Sequence, residues 1–473
     1  MLRRILLILI CIFILIAPAC AYRRPVPPEE TPVPRQERSL EQSTPQPRTQ
    51  EPEGGNTLPK SDKEAVEENI NGFDISDDEE ITRMAESLMM TQISTGVNQN
   101  EAAKLSEAKT RSPENDILLM YQTQLPAGIT YAVKYTKYDL TYDYFVVTSE
   151  DKASIYQNPD PTDKVVCTAV NCEKLALHQK VTGKDLGGSD IWYKVSCKHD
   201  GSIVTGYIHE SMGVTRTFQF EKMLNAINDL RRQIAAGKMN HVSNYKNVNG
   251  APPAKGDSAT DEYGIRIYQS APGYLQADTN SDFRYVPDGM LVRILEESGD
   301  FYKVYVHSFD QELFIPKKYI DPDDALSQLT HVVVVDRNQQ NQAAFELSGN
   351  EIRMVSYTLA TTGLKGETSF ETPLGTYRAL EKKDRFQYLK DNSDEIAGYA
   401  PFATRFCGGA YIHGVPVAYE EKDGQLVDPG IQEYLHTIGT FPRSHMCVRN
   451  FTSHAEFIYN WMQTTSGAII VIE

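Results

Sequence analysis

Ser444-His445-Met446-Cys447-Val448-Arg449-Asn450, with Gly409-Ala410-Tyr411-Ile412-His413-Gly414-Val415-Pro416 upstream, is the stretch on which the reading of this chain turns. A cysteine thiol with a pKa of about 8.5 is only slightly ionised at neutral pH, so a nucleophilic cysteine needs an imidazole within hydrogen-bond reach. His413 and His445 are the two imidazoles this stretch offers Cys447. Downstream, Ser453-His454-Ala455-Glu456 has the pattern of a capping box, opening a helix with Phe457, Ile458, Trp461 and Met462. Ala468-Ile469-Ile470-Val471-Ile472 reads as a buried terminal strand. Upstream, strands are expected at 331–336, 342–347 and 352–360. Cys447 is thus expected in a turn between β structure and a helix, near a positive helix end that favours a thiolate.

These residues resemble the catalytic signature of the L,D-transpeptidases, peptidoglycan cross-linking enzymes in which a His-Gly or His-Ser pair precedes a Ser/Thr-His-Gly-Cys-x-Arg/Asn element. Further landmarks follow in the family's order: His331-Val332-Val333-Val334-Val335-Asp336, Thr361-Thr362-Gly363 and Thr372-Pro373-Leu374-Gly375-Thr376-Tyr377. The resemblance runs from His331 to Glu473 and implies a β-rich catalytic domain. It departs from the family twice. Met446 stands where the family has glycine, and His413 and Ser444 are 31 positions apart, a longer gap than the family's. Ala418 to Gly439 is therefore read as an inserted lid or substrate-selecting loop, since loops tolerate insertion at small entropic cost.

The resemblance implies roles residue by residue. Cys447 is the nucleophile that forms a thioester with a wall stem peptide, and His413 is the general base and acid. The Gly414 carbonyl orients His413, in the part that an acidic side chain plays in other triads. His445 and Ser444 shape the turn, and the amides around Met446 and Cys447 are the oxyanion donors. Arg449 and Asn450 either hold a substrate carboxylate or lock the loop. Tyr399 and Arg405 are placed on the cleft wall. The acceptor is left open between a stem amine, giving 3→3 cross-links, water and a free D-amino acid.

The 473 residues exceed one core and imply several units. A formal charge of −17 argues against nucleic acid as a partner. Arg3-Arg4, the apolar run Ile5 to Ile16 and Ala17-Pro18-Ala19-Cys20 read as an export signal. The run is short for a membrane span. Cys20 after small residues resembles a lipoprotein processing site, with ordinary cleavage or an uncleaved anchor as alternatives. The chain is accordingly expected in the cell envelope, held to the membrane through Cys20. There, Cys197 is expected to bridge to Cys167 or Cys172, while Cys407 reads as a buried small apolar residue.

The organisation is expected to be mainly β and multidomain. After the signal at 1–20 comes a Pro-rich tether at 21–60, whose composition cannot offset chain entropy by burial. A helical acidic adaptor at 61–140 begins with a capping box at Ser76-Asp77-Asp78-Glu79. Two small β-barrels at 141–214 and 261–322 resemble bacterial Src-homology-3-like modules. Trp192-Tyr193-Lys194-Val195 is echoed by Phe301-Tyr302-Lys303-Val304, and Gly206-Tyr207-Ile208 by Leu313-Phe314-Ile315. Between them lie an amphipathic helix at 215–240, with Phe220, Met223, Leu224, Ile227, Leu230 and Ile234 at helical spacing, and a linker at 241–260. The catalytic domain occupies 326–473.

Three other readings compete with this one. In γ-D-glutamyl-diaminopimelate cysteine endopeptidases the cysteine precedes its histidine by many residues, whereas only His454 follows Cys447 here. A zinc hydrolase would use His413, His436, His445 and Cys447, but the tight spacing of a His-Glu-x-x-His motif is missing. A non-catalytic wall-binding protein with a decayed site fits poorly with the retention of His413, Ser444, Cys447, Arg449 and Asn450. No cofactor, metal or obligate protein partner is expected; the partners are peptidoglycan stem peptides and, through the anchor, a membrane.

Overall fold

Short apolar runs broken by Gly, Pro and Asp turns give this chain strands far more than helices. The computed structural model describes residues 66–69, 98–107, 116–138, 140–199, 201–255, 258–366, 369–390, 393 and 395–473. The expected signal, tether and capping box at Ser76 lie outside the described residues. No described helix is long and apolar enough to cross a membrane.

Strand β1 is Val66–Asn69, helix α1 Gln99–Glu107, β2 Ile117–Met120 and β3 Thr130–Tyr131. The described part of the expected helical adaptor is therefore one helix and several strands. These strands complete other sheets: β3 runs parallel to the later strand at Arg353–Met354.

The first β unit comprises β4 Asp143–Val147, β5 Ala153–Tyr156, β6 Val165–Ala169, β7 Lys174–Leu186, β8 Ser189–His199, β9 Ser202–His209 and β10 Gly213–Thr217. They pair in the order β10-β4-β7-β8-β9-β5-β6, with β2 added on β7. Among the described residues this is an open path rather than a closed barrel, because β10 and β6 do not pair. Within it the Sγ atoms of Cys197 and Cys167 lie 2.7 Å apart, while the Cys172 thiol donates to Asn171 Oδ1 at 2.9 Å. Of the two expected partners, the fold offers Cys167 to Cys197.

Helix α2, Phe220–Ala236, follows and buries Phe220, Met223, Ile227 and Leu230 on one stripe. The second unit contains β11 Asn240–His241, β12 Ser270–Tyr274, β13 Phe283–Pro287, β14 Leu291–Ser298, β15 Phe301–Val306 and β16 Gln311–Pro316. Its order, β11-β14-β15-β16-β12-β13, is again open among the described residues. The echoed sequence segments fall in matching hairpins, β8–β9 and β15–β16.

From residue 331 the chain forms β17 His331–Asp336, β18 Asn341–Ser348, β19 Glu351–Leu359, β20 Gly375–Arg378, β21 Glu381–Leu389, β22 Ile396–Cys407, β23 Ala410–His413, β24 Val417–Ala418, β25 Glu420–Lys422, β26 Gln425–Val427, β27 Val448–Arg449, α3 Thr452–Trp461 and β28 Gly467–Ile472. Two sheets result, β20-β28-β17-β18-β19-β3 and β1-β21-β22-β23-β27. The four valines of β17 are buried on both faces, because successive strand side chains point to opposite sides. Val332 and Val334 join a core with α2 and the first β unit. Val333 and Val335 join a second core containing Met290, Val292 and Val304 of the second unit and Ile412 and Val448, next to Cys447. The two upstream β units thus share cores with the sheets formed after residue 331.

The segment expected to be a lid divides in two. Its first part is the hairpin β25–β26. Its second part is anchored: Tyr434, Leu435 and Ile438 are buried in the first core, and the Lys174 ammonium donates to the His436 carbonyl at 2.6 Å. Three apolar side chains leaving water explain why this half packs as a strut.

Candidate active site

The site is built at the β23–β27 end of the sheet β1-β21-β22-β23-β27. β23 pairs antiparallel with β22 and parallel with β27, with Ile412 opposite Val448 and His413 opposite Arg449. Side chains paired across parallel strands share a face. His413 and Arg449 therefore lie together, and Cys447, one residue before β27, clusters with Tyr411, Phe386, Ala400 and Ala403. The helix expected beside Cys447 begins only at Thr452, beyond β27. Strand β27 stands between Cys447 and that helix, and Ser453 with Glu456 does not cap it. Glu433 of the strut does so instead, accepting from the Ser453 amide at 2.8 Å.

His413 is fully buried, and its Nδ1 lies 2.6 Å from the Gly414 carbonyl. A carbonyl can only accept, so Nδ1 carries the proton and Nε2 presents its lone pair. Nε2 has no hydrogen-bond partner. Burial, aided by the nearby charge of Arg449 and opposed by the Gly414 bond, pulls the imidazole pKa down to about 3. At neutral pH this ring is an uncharged base. Glycine is required at 414, because an added Cβ would stand 2.8 Å from Thr452 Oγ1 and 3.0 Å from the Pro401 ring.

Cys447 is buried, and its thiol donates to the Gly409 carbonyl at 3.6 Å. The turn before it is held at several points. Ser444 Oγ donates to the Cys447 carbonyl, and the Ser444 amide donates to Thr362 at 3.0 Å. Thr372 Oγ1 accepts from the Gly363 amide at 2.8 Å and donates to the Met446 carbonyl at 2.9 Å. His445 takes the Phe370 amide on its carbonyl at 2.6 Å and packs edge-on to the Phe370 ring.

Met446 keeps an ordinary negative φ, and its side chain fills the second core. The close approach is made by its neighbour: a Cβ on Gly363 would meet Met446 Cα at 2.9 Å. The turn therefore does not need glycine at 446. Asn450 locks the loop, accepting from Gln342 at 3.0 Å and donating to the Leu359 carbonyl at 3.2 Å. The Arg449 backbone exchanges both bonds with Thr361, at 2.9 Å each.

The two residues placed on the cleft wall are engaged elsewhere. The Tyr399 hydroxyl donates to Asp428 Oδ1 at 3.2 Å beneath the Arg385 guanidinium. Arg405 pairs with Asp288 at 2.5 Å and Glu381 at 2.7 Å, and stacks on Tyr245. Arg405 is thus an internal ion pair rather than a wall residue, since carboxylates of the same chain occupy its fork. Asp288 also accepts the Gly408 amide at 3.1 Å, one residue from the carbonyl that takes the Cys447 thiol. Sequence reading missed Thr372 as a clamp, Asp288, and Tyr388, whose buried hydroxyl has no hydrogen-bond partner and whose pKa burial raises against the influence of Arg449. Only Thr372 carried a signal, in the Thr-Pro-Leu-Gly-Thr-Tyr run. Among the described residues no three His, Cys, Asp or Glu side chains are grouped to hold a metal ion.

Residues 330–472 match the YkuD family, the L,D-transpeptidase catalytic domain. No curated protein matches the chain. Among solved structures it is similar to L,D-transpeptidase 1 of Mycobacterium tuberculosis, at 15% identity over 38% of this chain and 87% of that one, with a TM-score of 0.22. It is also similar to L,D-transpeptidase 3 of that organism in complex with a faropenem-derived adduct, at 15% identity over 43% and 78%, with a TM-score of 0.24. A fused Zn-dependent amidase/peptidase/peptidoglycan-binding protein of Clostridium acetobutylicum matches at 14% identity over 30% of this chain, with a TM-score of 0.21. The chain spans about half of that protein, 51% of its length.

Proposed function

We propose that this chain is an exported peptidoglycan L,D-transpeptidase, working through the L,D-transpeptidase domain at 330–472. The observation that carries the reading is the buried, unpartnered Nε2 of His413, with Nδ1 tied to Gly414, on the strand paired with β27, which Cys447 immediately precedes.

In the first half-reaction Nε2 takes the Cys447 proton, and the sulfur attacks the carbonyl of an L-to-D peptide bond in the donor stem. The C–N bond breaks, the imidazolium returns its proton to the departing D-amino acid, and a thioester remains. The amides around Met446 and Cys447 are assigned to the developing oxyanion. An acceptor amine then displaces the thiolate, giving a 3→3 cross-link; water or a free D-amino acid in its place gives trimming or exchange. Export, with anchoring through Cys20, brings the enzyme to its substrate in the envelope. Among the site residues Arg449 remains beside His413 as the group for a substrate carboxylate, while Asn450 serves the loop.

Muropeptide mass spectrometry on cells with wild-type chain or Cys447→Ala tests the reading. The expected result is loss of 3→3 dimers in the variant. Loss of trimmed tetrapeptides without any dimer in the wild type would replace cross-linking by hydrolysis.

A further inference from the structure

The first β unit holds two cysteines that no step of the proposed reaction uses. Cys167 lies on β6 and Cys197 on β8, and both join one buried core with Phe145, Ile155, Leu177 and Ile208. Strands β9 and β5 stand between them in the sheet order, with Cys197 opposite Val204, Tyr207 opposite Tyr156, and Ile155 opposite Cys167. In a flat sheet β8 and β6 would be about 14 Å apart, at roughly 4.8 Å per strand. The two sulfurs are 2.7 Å apart. The sheet must therefore roll until β6 faces β8, and among the described residues no backbone pairing closes that roll.

A thiol is a weak hydrogen-bond donor, so the Cys197 S–H bonded to the Cys167 sulfur holds the roll only loosely. A covalent bond would hold it firmly. Sulfurs already in contact need only small side-chain rotations to reach the about 2.05 Å of a disulfide. Cys172, the other nearby cysteine, is turned elsewhere: its φ is +64°, its thiol donates to Asn171 Oδ1 at 2.9 Å, and it neighbours Lys174 and Tyr434 outside this core.

The pair also divides into an attacking and a resolving thiol. The bond from Cys197 holds the Cys167 thiol below its ordinary pKa and pushes that of Cys197 up. Cys167 sits on the last strand of the sheet path, which pairs only with β5 among the described residues and begins at the exposed Val165. Local opening of such an edge strand brings Cys167 to an oxidant, while Cys197 waits in the core.

We propose that Cys167 and Cys197 are an oxidation site, joined as a disulfide that clasps β6 to β8 and closes the rolled end of the first β unit. The oxidant is a small-molecule or protein disulfide. The Cys167 thiolate attacks one of its sulfurs and displaces a first thiolate; Cys197 then loses its proton, attacks the Cys167 sulfur and displaces the second. One S–S bond forms, one breaks, and the two protons and two electrons pass to the two departing thiols. The bridge spans 30 positions of sequence and encloses β7, whose Lys174 seats the strut through the His436 carbonyl. Neither cysteine belongs to the proposed catalytic site, so the clasp is independent of the transpeptidase reading.

The test compares full chain equilibrated with oxidised glutathione against chain kept in dithiothreitol, each denatured, alkylated and mapped by peptide mass spectrometry. A linked peptide containing Cys167 and Cys197 is expected in the oxidised sample alone, with Cys172 and Cys407 alkylated in both. The oxidised chain should melt about 5 °C above the reduced one. Cys172→Ser should keep the link and the shift, and Cys197→Ser should lose both. The comparison within the wild type needs no substitution, so misfolding of a variant does not decide it. Absence of the Cys167–Cys197 peptide after oxidation, a link from Cys197 to Cys172, or equal melting temperatures with the link present overturns the clasp.

Discussion

His413 holds its proton on Nδ1 because Gly414 offers only an acceptor, and burial keeps the ring neutral. The same desolvation pulls His454 down to about 3, where it meets Ser356 at 3.0 Å. Both pKa values lie below the ordinary 6.5, so the unfolded chain binds more protons than the folded one between these limits. Stability is then full above about pH 6.5 and falls as pH drops toward 3. Thermal unfolding across this range should show a lower melting temperature with acid, and His454→Gln should flatten the slope. A second expectation concerns the catalytic turn. Thr372→Val removes the buried acceptor of the Gly363 amide and the donor to Met446, and should cost about 1–3 kcal/mol in denaturant unfolding. Cys447 and His413 stand out in the sequence as the proposed pair because such chemistry needs particular residue types. The Thr372 run was visible but its clamp was not, nor was Tyr388, because a hydroxyl is informative only once its neighbours are known.

At the scale of elements, strands followed their patterns closely. The expected strands at 331–336, 342–347 and 352–360 fall on β17, β18 and β19. Helix α3 was legible as a helix but not in its cap, since Glu433 is distant in sequence and only packing of the strut brings it to the Ser453 amide. Glu433→Ala should lower stability by about 1 kcal/mol, the usual worth of an N-terminal cap, measured by urea denaturation. The insertion before Ser444 was legible by its length. Its division into a hairpin and a strut was not, because burial of Tyr434, Leu435 and Ile438 depends on the first β unit standing opposite.

For the whole molecule, the two upstream β units are structural partners of the sheets in the L,D-transpeptidase-like region. Asp288 of the second unit neutralises Arg405 and holds Gly408 close to the Cys447 turn. Asp288→Ala would leave the guanidinium buried with Glu381 as its remaining carboxylate, and should cost about 3 kcal/mol in denaturant unfolding. Slower reaction of Cys447 with a thiol reagent in Asp288→Ala than in Asp288→Asn would show that the Asp288 contacts to Arg405 and Gly408 reach the site. Taken alone, the sequence determined the mainly β class and the match of its last third to the L,D-transpeptidase landmarks, because strand periodicity and motif order are local properties; Cys447 and His413 are its proposed pair. Only the tertiary structure decided that Met446 needs no glycine, that Arg405 belongs to an ion pair, and that the upstream units share cores with the sheets after residue 331. Each of those depends on which distant side chain removes water from a group, and such contacts are set by packing rather than by spacing along the chain.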